Sequence, residues 1–500
     1  MSLHIESTED ALAELKKQRT KTLTAAISVS FLGVALMGLL LYLVHIIVAV
    51  PEDPPMVAYA TQEGDNPDID TPEVTQTTQR PSSSSTSAQV KVIAAVATAD
   101  VAVGNPDIEG DVPSEELSMG IDIGDGFGTG TGDGDGGGIP GIISKRCDLN
   151  DRMKRITENG GTPQCEEAVV KSLRWLKKQQ NGNGSWGEGQ FRASMTGISL
   201  LAYLAHCETP LSEEFGENVL KGISFLVDLG MKNPVLSEQP ALKEICYDHA
   251  VATYALCEAY TFCKQMDIPS ISNLEKVVIK AVDKIVDNQN TDGGWAYNYN
   301  TKAGAHTDLS VTGWNVQALK AAEHGGIKPT KGEIRSTLRK ASSYVRKNVM
   351  PDGKFSYKEN GNMPRSSLVG VGVLSLQMTG DGSGGAARKG LDWIKNNVKT
   401  LQWGQGSGTE NVKSNLYMHY YCVQAAMNRG GDVWTSYNKA FRDAVLSGQN
   451  ADGSFRKNDV GYVSGMSNKS ENIYRQCLAT LMLETYYRFL PGTGEGTKNS

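Results

Sequence analysis

The chain has 500 residues, of which 49 are Lys or Arg and 56 are Asp or Glu, so its formal net charge is −7. This mildly acidic balance excludes a globally basic surface, and no nucleic-acid partner is expected. The length admits one large domain or several smaller ones, and the uneven spread of the 54 glycines indicates a linker between structured parts.

A long apolar segment near the N-terminus, residues 23–50, contains no Asp, Glu, Lys or Arg. Since about 20 apolar residues span a bilayer, it is a candidate transmembrane helix. Basic residues cluster in segment 1–22, and acidic residues follow the apolar run, which predicts a cytoplasmic N-terminus. The alternative is a signal peptide cleaved near Ala58-Tyr59-Ala60, but signal h-regions have only about 7 to 15 residues. We therefore expect a single-pass protein of the inner membrane, with the remaining chain periplasmic.

Residues 51–141 have no sustained apolar periodicity and contain "PEDPP", "PSSSSTS" and "GDGFGTGTGDGDGGG". Such a composition buries too little apolar surface to offset the entropy of ordering. The sequence predicts a disordered spacer here, a folded domain over 142–490 and a disordered tail over 491–500.

From Gln164 onward, amphipathic segments alternate with Gly-, Asn- and Asp-rich loops. One set of predicted helices is charged on one face, whereas the alternate set is apolar nearly all round, which favours an outer layer around a buried inner layer. The twelve predicted helices, or about six helical hairpins, cover 164–180, 191–206, 213–229, 245–265, 273–288, 306–323, 332–348, 364–378, 385–398, 412–428, 433–448 and 470–489.

A loop signature of Gln, a polar glycine turn and an aromatic residue repeats along this region, with "QNTDGGW" as an example. The repeat spacing is about 50 residues, the length of one helix pair, and such arrays bury their core by stacking. We interpret the repeated residues as structural: Gln179, Trp186, Gln289, Trp295, Phe355, Trp403, Gln449 and Phe455. The same loops resemble calcium-binding EF-hand starts, but the later ligands do not follow.

The stretch "AVVKSLRWLKKQQNGNGSWG" resembles the Gln-Trp repeats of the squalene cyclase and prenyltransferase superfamily. The resemblance covers about residues 164–490. It implies an all-α fold, an α6/α6 toroid, and it is more specific for fold than for function.

In such a toroid a pocket is expected where the inner helices start, because polar and aromatic residues gather there and helix N-termini point their amides at the mouth. For each residue the alternative is a helix cap or a satisfied buried polar group. The candidate ligand-binding residues are Tyr247, Asp248, His249, His306, Arg365, Tyr417, His419, Tyr474 and Arg475.

Resemblance to the squalene-hopene cyclases implies a general acid at an Asp-x-Asp-Asp-Thr-Ala motif. The matching stretch here is "HTDLSVTG", in which Asp308 is the remaining carboxylate and the candidate catalytic acid. Loss of the neighbouring carboxylates, and a chain too short for a second helical barrel, argue against that chemistry. Resemblance to protein prenyltransferases would require a zinc site, but the order in "CYDH" (246–249) does not match. No metal or other cofactor is expected.

Cys147 and Cys165 flank the entrance to the folded domain in a polar segment, and a disulfide between them is expected. The main functional expectation is a non-catalytic envelope module that binds a small molecule, a lipid or an envelope protein. The first alternative is a cyclase or transferase acting on an isoprenoid lipid. The second is an energy transducer, because a short cytoplasmic head, an anchor containing His45 and "PEDPP" resemble the plan of TonB-like proteins.

Overall fold

The computed structural model describes residues 146–488, except 242, 267, 269–270, 303–304, 359–362, 405–412 and 462–464. The predicted anchor (23–50), spacer (51–141) and tail (491–500) lie outside the described residues. Among the helices of the described residues, none has both the length and the apolar character that a membrane span requires.

The described residues form an all-α domain, with only one short two-stranded sheet. The strands, β1 (Phe355–Ser356) and β2 (Pro364–Arg365), pair antiparallel. The thirteen α-helices of this part of the chain are α1 (Leu149–Glu158), α2 (Pro163–Gln179), α3 (Arg192–Ala205), α4 (Gly216–Lys232), α5 (Ile245–Gln265), α6 (Leu274–Asp287), α7 (Leu309–His324), α8 (Ile334–Lys347), α9 (Val369–Met378), α10 (Gly385–Asn397), α11 (Leu416–Arg429), α12 (Gly431–Ser447) and α13 (Asn468–Arg488).

Six helices form a closed inner ring. Helices α3, α5, α7, α9, α11 and α13 contact one another in that order, and α13 contacts α3. Outside them, α4, α6, α8, α10 and α12 each pack on the preceding inner helix, while α2 packs on α13 and so joins the two ends of the domain. In α3 every residue from Ala193 to Ala205 is buried, whereas α8 buries one face only. This two-layer α/α toroid is the arrangement that the alternating hydrophobic pattern predicts.

All twelve predicted helices are present, but α1 was not predicted. Its sequence, LNDRMKRITE, is rich in charge, and Arg152 is one of its two buried residues, so no apolar stripe marks it. The Asp148 carboxylate caps the helix by accepting a hydrogen bond of 2.9 Å from the Asp151 amide.

The repeated glutamine links neighbouring outer helices. Gln289 Nε2 donates to the Gly293 carbonyl in its own loop and to the Thr337 carbonyl of α8, at 2.9 and 2.8 Å. Gln449 bonds Gly453 and Ala168 of α2 in the same way. In the first repeat this role belongs to Gln180, which bonds Gly184 and Asn218. The predicted Gln179 is therefore wrong by one residue, because the sequence offers two adjacent glutamines and only the second leaves the helix.

The repeated aromatic residues fill the space behind these loops. The Trp186 and Trp295 indoles are fully buried and donate to the Leu176 and Ile285 carbonyls of the preceding outer helix, each at 2.8 Å. Phe355 and Phe455 are buried aromatic counterparts without a polar atom. Trp403 differs, because its indole donates to Ala444 of the following outer helix, α12, at 2.6 Å. Of the predicted aromatic residues, Trp186, Trp295, Phe355 and Phe455 are therefore buried, whereas Trp403 is partly buried.

A glycine in four of these loops touches the backbone of the next outer helix. Gly184, Gly293, Gly353 and Gly453 all have positive φ, between 86° and 98°. A Cβ atom at these positions would lie 2.2 to 2.4 Å from the carbonyl oxygen of Lys221, Lys340, Lys389 or Lys171, respectively. Only glycine allows both this conformation and this approach.

The disulfide joins Cys147 to Cys207, not to Cys165, with a Cα–Cα distance of 5.0 Å. The prediction of Cys165 is wrong because that residue lies in the first turn of α2 and is buried there, where its sulfur accepts from the Thr162 amide. Cys207 follows the C-terminal end of α3, so the bridge fastens the start of the domain to the inner ring.

An ion-pair cluster joins the C-terminal half of α5 to the end of α13. Arg488 lies 2.7 Å from Glu258 and also donates to the Tyr254 hydroxyl. Arg146 approaches the same Glu258 at 3.8 Å, and its guanidinium lies over the Phe262 ring. These buried charges compensate one another in a region that excludes water.

We expect Gly453→Ala to lower the free energy of unfolding by about 3 kcal/mol, because the new methyl group meets the Lys171 carbonyl and the backbone is left-handed there. Chemical denaturation measures this change. The matched control is Gly182→Ala, since a Cβ atom at Gly182 has no neighbour within 4 Å. Equal stability of the two variants would contradict the role of Gly453 in joining α12 to α2.

Candidate functional site

A cavity of about 370 Å³ opens where the inner helices start. Its wall is contributed by the first turns of α3, α5, α7, α11 and α13, by the segment before α9, and by loop residues such as Tyr297 and Val460. The expected position of a pocket, at the inner helix starts, is therefore where the structure has one.

Aromatic side chains dominate the wall. They are Phe191, Tyr247, Tyr297, Trp314, Tyr357, Tyr417 and Tyr474. The rings of Tyr247 and Tyr297 lie 5.6 Å apart, and the hydroxyls of Tyr297 and Tyr357 are hydrogen-bonded to each other. Methionine and aliphatic side chains complete the apolar surface: Met195, Ile198, Val251, Met363, Leu368, Val460 and Met466. Such a surface binds apolar or aromatic groups.

The polar groups at the wall are few, and Arg365 is the charged residue among those that line it. The others are Ser194, Ser310, Ser367 and Asn415, besides the tyrosine hydroxyls. The Tyr247 hydroxyl and the Ser310 hydroxyl are 2.6 Å apart, and Ser310 Oγ donates to Asp308. A hydrogen-bonded path therefore runs from the wall to this carboxyl group.

Asp308 lies behind the wall and is fully buried. Its Oδ1 caps α7 by accepting hydrogen bonds from the amides of Ser310 and Val311, at 2.6 and 3.4 Å. Its Oδ2 has no hydrogen-bond partner among the described residues. Burial raises the pKa of Asp308, and the nearby hydroxyls of Ser310, Tyr357 and Tyr297 act in the opposite direction. The candidate acid is thus first of all a helix cap.

Four of the predicted ligand-binding residues line the cavity: Tyr247, Arg365, Tyr417 and Tyr474. Each lies within or just before the first turns of an inner helix. Burial raises the pKa of Tyr247, Tyr417 and Tyr474, so these phenols remain neutral at physiological pH.

Asp248 and His249 face other elements instead. Asp248 Oδ1 accepts from the Ser194 amide and hydroxyl at 2.9 and 2.7 Å, and Oδ2 accepts from Ser237 at 2.8 Å, so the carboxyl braces α5 against α3. His249 Nδ1 accepts from the Leu236 amide, and Nε2 donates to the Ala281 carbonyl of α6. Burial lowers the pKa of His249 to about 4, which matches a neutral ring with both nitrogens occupied.

The other three candidates are also outside the cavity wall. His306 is exposed and packs beside the Tyr357 ring, with centroids 5.6 Å apart. His419 is buried against the Tyr437 hydroxyl of α12, at 2.8 Å. Arg475 donates to Asn472 and to the Phe455 carbonyl, and so holds the last repeat loop.

Several wall residues were missed by the sequence analysis. Tyr297 and Tyr357 stand two positions after the repeated aromatics Trp295 and Phe355, and this recurrence was the available signal. Trp314 lies about two turns after the predicted helix start at residue 306, in a helix that is buried nearly all round and so gives no periodic signal. Val460 and Gly461 lie in a loop that is held at the cavity by a backbone hydrogen bond, from the Leu416 amide to the Asp459 carbonyl. No side-chain pattern in the sequence marks this contact.

No protein-family model and no curated protein matches the sequence. Among solved structures, the chain is similar to an α-1,6-mannanase of Salegentibacter, with 12% identity, coverage of 65% of this chain and 99% of that one, and a TM-score of 0.47. An unsaturated glucuronyl hydrolase of Bacillus is 14% identical, with coverage of 64% of this chain and 95% of that one, and a TM-score of 0.42. A type II terpene cyclase of Scytonema is 11% identical, with coverage of 68% of this chain and 100% of that one, and a TM-score of 0.41. All three are α/α toroids.

The brace formed by Asp248 predicts a pH dependence of stability. Burial raises the pKa of Asp248 to about 6, above its ordinary 3.8, so the native state binds more protons than the unfolded state between these values. The contribution of Asp248 to the free energy of unfolding therefore falls as pH rises from about 4 to 6. Asp248→Asn should remove this component, measured as the difference between wild-type and variant stability across that range. A difference that does not change with pH would contradict the assignment.

Proposed function

We propose that the toroid is a binding module for an apolar ligand, held in the aromatic cavity at the inner helix starts. The observation that carries the proposal is the wall itself, in which tyrosine, tryptophan, methionine and aliphatic side chains surround about 370 Å³. A cavity of this size accommodates a small lipid or an isoprenoid chain, and burial of apolar ligand surface supplies the affinity.

The chemistry of the wall favours binding over catalysis. Among the described residues that line the cavity there is no Asp, Glu, His, Cys or Lys. General acid–base catalysis needs a group that exchanges a proton near the operating pH, within hydrogen-bond reach of the ligand. Burial raises the pKa of the wall tyrosines and keeps them neutral, and the Arg365 guanidinium carries hydrogen-bond donors only, so these side chains fix and orient a ligand.

Cyclisation of an isoprenoid is the second candidate, and Asp308 favours it. The carboxyl group is buried, which raises its pKa, and it connects to the cavity through Ser310 and Tyr247. A protonated carboxylic acid near aromatic rings is what alkene protonation and carbocation stabilisation require. Against it, Asp308 is not among the lining residues and its Oδ1 is committed to capping α7.

Filling the cavity tests the binding proposal. Val251 lines the wall and is 4% exposed, so Val251→Phe places a ring inside the space. We expect at least tenfold weaker binding of all-trans-farnesene to the purified full chain, by fluorescence competition, because displaced apolar contact is worth about 25 cal/mol per Å². The control, Leu211→Phe, adds the same ring at a position that is 63% exposed and should bind normally.

The same preparation separates the two candidates. Under the binding proposal, farnesol and geranylgeraniol are recovered unchanged after incubation. Their conversion to cyclic products by the wild type, with loss of conversion in Asp308→Asn, would overturn the binding proposal in favour of cyclisation.

We also propose that residues 23–50 anchor the chain in the inner membrane and hold the toroid in the periplasm, where its partner is a small molecule, a lipid or an envelope protein. The absence of charge from this segment and the basic residues before it support the proposal. Alkaline extraction should leave the full chain in the membrane and release a chain lacking 23–50. Release of both would contradict anchoring. A TonB-like role for His45 additionally requires that His45→Ala impair function without altering insertion.

A further inference from the structure

Asn415, a residue of the cavity wall, carries a buried hydrogen-bond donor. The residue lines the wall and is 1% exposed. Its Oδ1 accepts a hydrogen bond of 2.9 Å from the Met418 amide and so caps α11, which fixes the side-chain orientation. Its Nδ2 has no hydrogen-bond partner among the described residues. A buried amide donor without an acceptor is costly, and native structures leave few of them.

Tyr417 presents a second such group two residues later. It lines the same cavity, and its hydroxyl is also buried; the Tyr421 hydroxyl beside it acts as a donor that lowers the Tyr417 pKa, and no acceptor among the described residues takes the Tyr417 proton. The ring is held by an edge contact with Tyr421, at a centroid distance of 5.0 Å, and by Gly461, whose small size leaves room beside it. The two groups therefore belong to a fixed part of the wall, at the start of α11.

These donors restrict the kind of ligand that suits the cavity. A pure hydrocarbon would leave both the Asn415 amide and the Tyr417 hydroxyl without an acceptor. A ligand oxygen near the start of α11 would accept from them, while the aromatic rings contact the apolar remainder. Sites built in this way reject analogues that lack the hydrogen-bonding group, because the protein's own polar atoms are then left unsatisfied.

We propose, on the basis of the function proposed above, that the ligand is an apolar molecule carrying one hydrogen-bond-accepting oxygen, which binds Asn415 Nδ2 and the Tyr417 hydroxyl. Asn415 thus has two roles on two atoms. Oδ1 caps the N-terminus of α11, and Nδ2 selects the ligand. This separation makes the proposal testable without removing the cap.

The test compares two uncharged probes of similar size, farnesal and all-trans-farnesene, which differ in the carbonyl oxygen. Affinities are measured on the purified full chain by fluorescence competition, and the ratio is compared between wild type and variants so that partitioning into detergent cancels. We expect wild type to prefer farnesal by about tenfold, the effect of one satisfied buried donor. Asn415→Asp keeps the capping oxygen and removes the donor, and Tyr417→Phe removes only the hydroxyl, so each should reduce the preference at least threefold.

The control is Asn183→Asp. Asn183 is exposed in the first repeat loop, and its Oδ1 accepts from the Ser185 amide and hydroxyl, so the substitution is chemically the same but lies outside the cavity lining. It should keep the wild-type preference. Tight binding of farnesene with no preference for farnesal, or a preference retained in both wall variants, would overturn the inference while leaving the binding function intact. Failure of both probes to bind would overturn the binding function and the inference with it.

Discussion

The structure depends on a close backbone contact between each repeat loop and the next outer helix. At Gly184, Gly293, Gly353 and Gly453 the loop lies so near a lysine carbonyl that a Cβ atom would overlap it. Glutamine side chains reinforce three of these contacts by bonding a carbonyl in the loop and another in the neighbouring helix. Because the last of them joins α12 to α2, a local rule repeated along the chain closes the ring.

The closure of the ring explains why the inner helices are apolar on nearly all sides. A helix with an inner neighbour on each side and an outer helix behind it has almost no surface left for water, as in α3 and α9. Several polar residues on these helices are held by partners on other elements. Asp248 accepts from two serines, and His249 bonds two backbone groups, so both act as braces between elements. Among the residues that line the cavity, Asn415 Nδ2 and the Tyr417 hydroxyl are the buried polar atoms without a hydrogen-bond partner in the described part of the chain, and a ligand there can supply one.

Asp308 has a structural role on one of its two carboxylate oxygens. One oxygen begins α7, and the other has no partner among the described residues, close to the Tyr297 and Tyr357 phenols. Residues that contact the Asp308 carboxyl group separate it from the cavity. An acid that protonates a ligand must instead reach that ligand directly. This geometry is why the wall, and not the carboxyl group, carries the proposed function.

The sequence by itself determined the helix order, the two layers and the repeated loops, because burial on one face or all faces leaves a periodicity and turns require glycine. It did not reveal α1, because a charged residue, Arg152, occupies one of the two buried positions of that helix. Nor did it reveal the pairing of Cys147 with Cys207, which depends on the tertiary contact between the start of the domain and the end of α3. Nor could it separate Tyr247 from Asp248, since adjacent helical residues point to different neighbours. Only the tertiary structure decided which of them faces the cavity, because that depends on the rotation of each inner helix within the ring.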